Sequence, residues 1–105
     1  MVTSVPEWRG PLCGEAFLGM GRTKLAMNSL EDAHALFQRT FLFYKAYDGG
    51  KWAAEGYLEA GNTLLKMGLK QDALNTWRAM LKDDYVNYLP QAETARELIK
   101  KHGDA

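Results

Sequence analysis

The chain has 105 residues, 47% of them hydrophobic and 25% charged, with a formal net charge of zero. Those values suit one small globular domain, and they exclude an overall charge bias toward nucleic acid, anionic membrane or acidic substrates. A single cysteine, Cys13, excludes an internal disulfide and a metal site built on several thiolates, and no stretch approaches the roughly 20 apolar residues of a spanning helix.

Proline occurs only at Pro6, Pro11 and Pro90, and the residues between favour helix. No run alternates apolar and β-branched residues with polar ones, so no strand is predicted. A first helix is predicted from Pro11, which is tolerated in a first turn, to about Met27, with Leu12, Ala16, Phe17 and Met20 as its apolar spacing. NSLEDA interrupts it, and Ser29 with Asp32 three residues on is a capping signature for the next helix. That helix covers about 30–47, with Ala33, Leu36, Phe37, Phe41 and Tyr44 on one side. The glycines of YDGGK make a turn. A third helix follows over about 51–67, and Gly68 ends it. The fourth runs over about 70–83, DDYVNYL is a loop or loose end, and the fifth runs from Pro90 to about Lys101, closed by Gly103. Its apolar residues are Ala92, Ala95, Leu98 and Ile99, and Glu93, Arg96, Glu97, Lys100 and Lys101 lie elsewhere on it.

Sliding the sequence by 40 residues against itself superposes Glu15 on Glu55, Leu18 on Leu58, Gly21 on Gly61, Thr23 on Thr63, Leu25 on Leu65, Met27 on Met67, Asp32 on Asp72 and Ala33 on Ala73. Phe17 meets Tyr57, and Phe37 meets Trp77. A period of this size is the signature of stacked helical repeats. The spacing predicts that Gly61 and Ala73, and likewise Gly21 and Ala33, are small because two helices approach closely there, with Trp77 and Tyr57 filling the space on either side.

The second unit, AEGYLEAGNTLLKMGLKQDALNTWRAMLKDD, resembles a tetratricopeptide repeat (TPR). Tyr57, Ala60, Gly61, Leu64, Gly68, Ala73, Trp77 and Met80 stand at that motif's places; Ala60 replaces its leucine, Met80 its second alanine, and no proline follows directly. In the first unit, 14–44, Phe17, Gly21, Ala33 and Phe37 match, Lys24 stands at a large apolar place, and Asn28 replaces the turn glycine, since asparagine tolerates left-handed angles. The period exceeds the usual ~34 residues. The resemblance implies an all-α, TPR-like solenoid of helical hairpins in a single domain over 1–105, with a first hairpin at 11–47, a second at 51–84 and a capping helix at 90–102. It carries a weaker likeness to TPR scaffold proteins of the bacterial cell envelope.

Candidates for chemistry are sparse. His34 and His102 lack partners at metal-ligand spacing and read as exposed helix residues. Cys13 reads as a small buried hydrophobe rather than a nucleophile. GRTKLAM lacks the glycine spacing of a phosphate loop, and GMGRTK holds only a G-x-G with no strand before it. Asp83 and Asp84 read as a solvated pair at a helix end. KWAAEGY and FLFYKAY interleave aromatics with lysines, as single-strand binders do, but aromatics at helical spacing belong more often to a core. No enzyme, cofactor or metal is expected, and neither nucleic-acid binding nor membrane insertion.

In the TPR family the first helix of each hairpin lines the surface where peptides or partner helices dock. Carried over by position, that groove falls on Glu15, Leu18, Arg22, Leu25 and Ala26 in the first unit and on Glu55, Leu58, Asn62, Leu65 and Lys66 in the second. Leucines flanked by polar groups suit a segment with apolar anchors. The resemblance implies a protein-interaction module at the C-terminal end of a longer scaffold. The competing expectation is a structural module that self-associates through an uncapped front face formed by Trp8, Leu12 and Phe17, because about three repeats and polar caps are the usual requirement of such arrays. The sequence does not fix the compartment: the chain as it stands reads as cytoplasmic, and a signal-bearing segment before it would make it periplasmic.

Overall fold

The computed structural model describes residues 11–103, and the side chains from residue 14 onward. Five α-helices and no strand occur among them: α1 (Pro11–Ala26), α2 (Leu30–Phe43), α3 (Lys51–Lys66), α4 (Lys70–Leu81) and α5 (Pro90–Gly103). Each helix packs on its neighbours in sequence, and α3 also touches α1 and α5, so α3 is the centre of the bundle. The predicted all-α class and the five elements are observed. α2 ends four residues earlier than the expected 47, because Tyr44 leaves helical angles (φ −124°, ψ 17°). That departure turns its ring inward, where it is buried and stacks on Phe17 at 5.8 Å.

The α1–α2 and α3–α4 connections are built alike. Asn28 (φ 62°) and Gly68 (φ 82°), 40 positions apart, both take left-handed angles. Behind them, Ser29 N–H donates to the Lys24 carbonyl and Asn28 N–H to that of Leu25; Leu69 N–H donates to Leu64 and Gly68 N–H to Leu65. These paired bonds form the Schellman arrangement, which satisfies the last carbonyls of a helix. The expected side-chain cap at Ser29 is not made. Its position is set instead by the preceding helix end, and Leu69 takes the equivalent place without any capping oxygen.

The small residues are buried as the repeat requires. Gly21, Ala33, Gly61 and Ala73 are all inside, but the groups that press on the two glycines are aromatic. A Cβ at Gly21 would come 2.7 Å from Cδ1 of Phe37, and one at Gly61 would overlap the Trp77 indole nitrogen. Phe37 and Trp77 are fully buried; burying a phenylalanine side chain contributes about 1.5–3 kcal/mol. The core face of α1 differs from the expected one. Ala16 and Met20 are exposed, whereas Gly14, Leu18 and Gly21 are buried. Leu12 and Cys13 have side chains outside the described residues, as does Trp8 entirely. Between the hairpins, Gly56 of α3 lies against α2, where a Cβ would overlap the Thr40 hydroxyl and sit 2.9 Å from the Phe37 carbonyl oxygen. Phe41 of α2 stacks on Tyr57 of α3, with centroids 4.0 Å apart.

DDYVNYL is not a loose end. Val86 and Asn87 both donate N–H bonds to the Asp83 carbonyl, at 3.0 and 2.8 Å, and the Val86 side chain is fully buried. The segment packs on the α2–α3 connection, which ends in a 3₁₀ turn at Asp48–Gly50. Gly50 (φ 83°) lies directly under the Tyr85 carbonyl oxygen, which any Cβ there would overlap. Asp83 is the knot of this end rather than a solvated carboxylate. It accepts the Tyr57 hydroxyl at 2.7 Å and the Tyr85 N–H at 3.0 Å, and Lys45 Nζ stands 3.6 Å away.

Candidate partner-binding faces

The predicted groove residues lie on α1 and α3, on the side of the bundle where α3 joins α1 to α5, with one exception. Leu18 is only 2% exposed and belongs to a core cluster with Ala33, Phe37 and Ala60. It cements the two hairpins and offers no contact surface, because the position that is half-buried on α3 at Leu58 is fully buried on α1. Leu25, Leu58 and Leu65 are half-buried, each packed against the core with part of its surface outside. Asn62 is half-buried, and Glu15, Ala26 and Lys66 are exposed.

Arg22 is not an open groove wall. Its Nε donates to Glu59 Oε2 at 2.7 Å and its Nη2 to Glu55 Oε1 at 3.3 Å, while Gln91 Nε2 of α5 donates to the other Glu55 oxygen at 3.0 Å. A polar ladder thus runs from α1 across α3 to α5. Its ion pairs are largely solvated, with Arg22 half exposed, and pairs of that kind contribute about 0–1 kcal/mol each. Their effect is on alignment: they fix the register of three helices and hold Leu58 and Asn62 beside a fixed pattern of charge. Glu59 and Gln91 were not among the predicted residues. The four-residue spacing of Glu55 and Glu59, which puts both carboxylates on one helix face, is the sequence signal that identifies the first of them.

On the opposite side of α3 a cleft of about 370 Å³ opens between α2 and α4. Phe41, Tyr57 and Leu64 form its floor, and His34, Gln38, Asp72, Asn75, Thr76 and Ala79 its walls. His34 is therefore a half-buried wall residue and not an exposed one. Burial lowers its pKa, partly offset by the Asp72 carboxylate, so it is neutral at pH 7. Burial pushes the Tyr57 phenol well above its usual range, and its hydrogen bond to the Asp83 carboxylate adds to this. Another depression, of about 500 Å³, lies at the hairpin tips, lined by Asn28, Ser29, Leu30, Glu31, Asp32 and Met67.

His102, also expected to be exposed, is half-buried and lies 6.0 Å from the Trp77 ring. The lysines of the two aromatic stretches sit over rings of the fold itself, Lys45 over Tyr85 at 5.3 Å and Lys51 over Trp52 at 4.7 Å. Among the described residues no three of His, Cys, Asp and Glu are grouped to hold a metal ion, and no helix is long and apolar enough to cross a membrane. No protein-family model, curated protein or solved structure matches the chain.

Proposed function

We propose that the chain is a non-catalytic protein-interaction module whose TPR-like hairpins hold a peptide or partner helix on the α1–α3–α5 face, as the end of a longer scaffold. The observation that supports this reading is the ladder from Arg22 through Glu59 and Glu55 to Gln91. It makes one continuous, pre-aligned surface out of three helices, and that surface carries half-buried leucines beside polar groups. Preorganisation of this kind lowers the entropic cost of binding. The test is selection of displayed 15-residue peptides on the whole chain, followed by affinity measurements with Leu58→Asp and Lys66→Glu variants. Selected peptides that bind both variants as tightly as the original chain overturn the reading, as does a selection that enriches nothing.

A second reading, self-association through the outer side of α1, is favoured by a separate observation. Ala16, Met20 and Thr23 are exposed on α1, while the positions 40 residues later, Gly56, Ala60 and Thr63, are buried in the bundle. Met20 and Met27 are 49% and 62% exposed. Phe17 is already half-buried against Tyr44 and adds less to this face than its sequence position suggests. Sedimentation across a wide concentration range decides the matter. Self-association that Met20→Glu abolishes supports this reading, and a monomer at high concentration removes it.

A further inference from the structure

The α2–α4 cleft is unused by either reading, since it lies on the side of α3 away from the polar ladder. It joins an apolar floor to walls that can form hydrogen bonds. The stacked rings of Phe41 and Tyr57, with Leu64, provide a flat base. Gln38 on one wall and Asn75 on the other each carry a primary amide, which can both donate to and accept from a peptide main chain. The Gln38 side chain makes no hydrogen bond among the described residues, and the Asn75 side-chain oxygen accepts only from Gln71 Nε2, at 3.2 Å, which leaves its NH₂ group free. The Thr76 hydroxyl donates to the Asp72 carbonyl at 2.9 Å and keeps its acceptor capacity. The volume falls within the range of about 300–1,000 Å³ typical of ligand sites.

Charge selects the occupant. Asp72 is the one carboxylate lining the cleft, and among the described residues no lysine or arginine pairs with it. The imidazole opposite, His34, has its pKa lowered by burial and so is a weak counter-charge, which leaves the N-terminal turn of α4 as the main compensation of Asp72. A carboxylate without a lysine or arginine partner, beside an apolar floor, attracts a cation attached to an apolar body.

We propose that the α2–α4 cleft is a second binding site, taking a polypeptide segment in which a basic side chain pairs with Asp72 while an adjacent apolar side chain rests on Phe41, Tyr57 and Leu64. Gln38, Asn75 and Thr76 hold the main chain of that segment. The site is independent of the α1–α3–α5 face, so occupancy of one leaves the other open.

The probes are blocked hexapeptides, Gly-Ser-Leu-Arg-Ser-Gly and its reverse-order partner Gly-Ser-Arg-Leu-Ser-Gly, titrated into the isotope-labelled full chain and followed by amide chemical shifts. Saturable shifts centred on Gln38, Asp72, Asn75 and Thr76 are expected. Replacing the peptide arginine by glutamate, or its leucine by serine, weakens binding by about fivefold or more, a magnitude set by loss of one partly buried charge-assisted contact or one buried aliphatic side chain. Asp72→Asn has the same effect. Thr76→Arg, which places a cation one helical turn from Asp72, occupies the site internally and abolishes binding; the unchanged shifts elsewhere in each variant report that it is folded. Shifts centred on Glu55, Asn62 and Lys66, indifference to the peptide's charge, or binding that survives both Asp72→Asn and Thr76→Arg would each overturn the proposal, as would the absence of saturable shifts with both peptides.

Discussion

Replacing Gly61 by alanine adds one methyl group at a point with no room for it. The new Cβ overlaps the Trp77 indole nitrogen and lies 2.8 Å from Cδ1, against about 3.5–4.0 Å for carbon atoms in favourable contact. Trp77 is fully buried and its ring is rigid, so a displacement of about 1 Å must be passed on to the whole α3–α4 hairpin. Overpacking costs about 1–3 kcal/mol, and the better helix propensity of alanine returns about 1 kcal/mol, leaving a net loss of up to about 2 kcal/mol; the rigidity and full burial of the ring place it toward the upper end of that range. Gly21→Ala, which meets the equally buried Phe37, has the same sign. Gly19→Ala is the control: nothing lies within 4 Å of its added Cβ, so only the propensity term operates and the chain gains about 0.5–1 kcal/mol. For a domain near this size 1 kcal/mol corresponds to about 4 °C in Tm. Thermal melts by circular dichroism should therefore place Gly61→Ala below the unsubstituted chain and Gly19→Ala above it. In a Trp77→Leu background, the penalty of Gly61→Ala should largely vanish, since the ring that causes it is gone. A Gly61→Ala chain that melts at or above the original temperature, or a penalty undiminished by Trp77→Leu, refutes the close-approach argument.

Asp83→Asn, which leaves Tyr57, Tyr85 and Lys45 around a neutral amide, should cost about 1.5–3 kcal/mol, seen as a lower urea midpoint at unchanged slope; an unchanged midpoint removes Asp83 from the role of knot. Gly50→Ala should cost more than Gly68→Ala. Both have positive φ, but only Gly50 lies beneath a backbone oxygen, while Gly68 has open space; strain alone accounts for about 1–2 kcal/mol. Stability should also fall in acid partly through His34. Its pKa is lower in the folded chain, so the unfolded chain binds more protons, and stability rises with pH through the window below the unfolded value of about 6.5. The contribution is complete above that value and is lost as pH falls. His34→Gln should flatten the slope of stability just below about pH 6.5 relative to the original chain, and an identical slope in both chains counts against the burial of His34.

What the sequence made legible is what is local. Helix starts and the left-handed turn positions Asn28 and Gly68 depend on a few adjacent residues and are where their chemistry places them; the end of α2, set by the inward turn of Tyr44, is not. The small buried positions Gly21, Ala33, Gly61 and Ala73 also showed through, because each pair lies within one hairpin and recurs at the 40-residue shift. Even there the identity of the pressing group was hidden: alanines mark where helices are close, but the aromatic ring one turn further on fills the gap.

What stayed hidden depends on packing between hairpins. Gly56 was passed over because its first-unit counterpart, Ala16, is exposed and carries no such constraint. Asp83 read as a solvated end residue because its partners Tyr57 and Lys45 are 26 and 38 positions back along the chain. The α1 core face was misread for a related reason: apolar residues lie on several sides of α1, so spacing alone does not choose Leu18 over Met20. The choice is made by position in the stack. α3 has a helix on each flank and buries Ala60, whereas α1 packs chiefly on α2 and α3, and Met20 at the equivalent place is left outside. Equivalent positions in a repeat thus share backbone chemistry without sharing environment, and the residues that differ between the two units are the ones that report which neighbour each helix has.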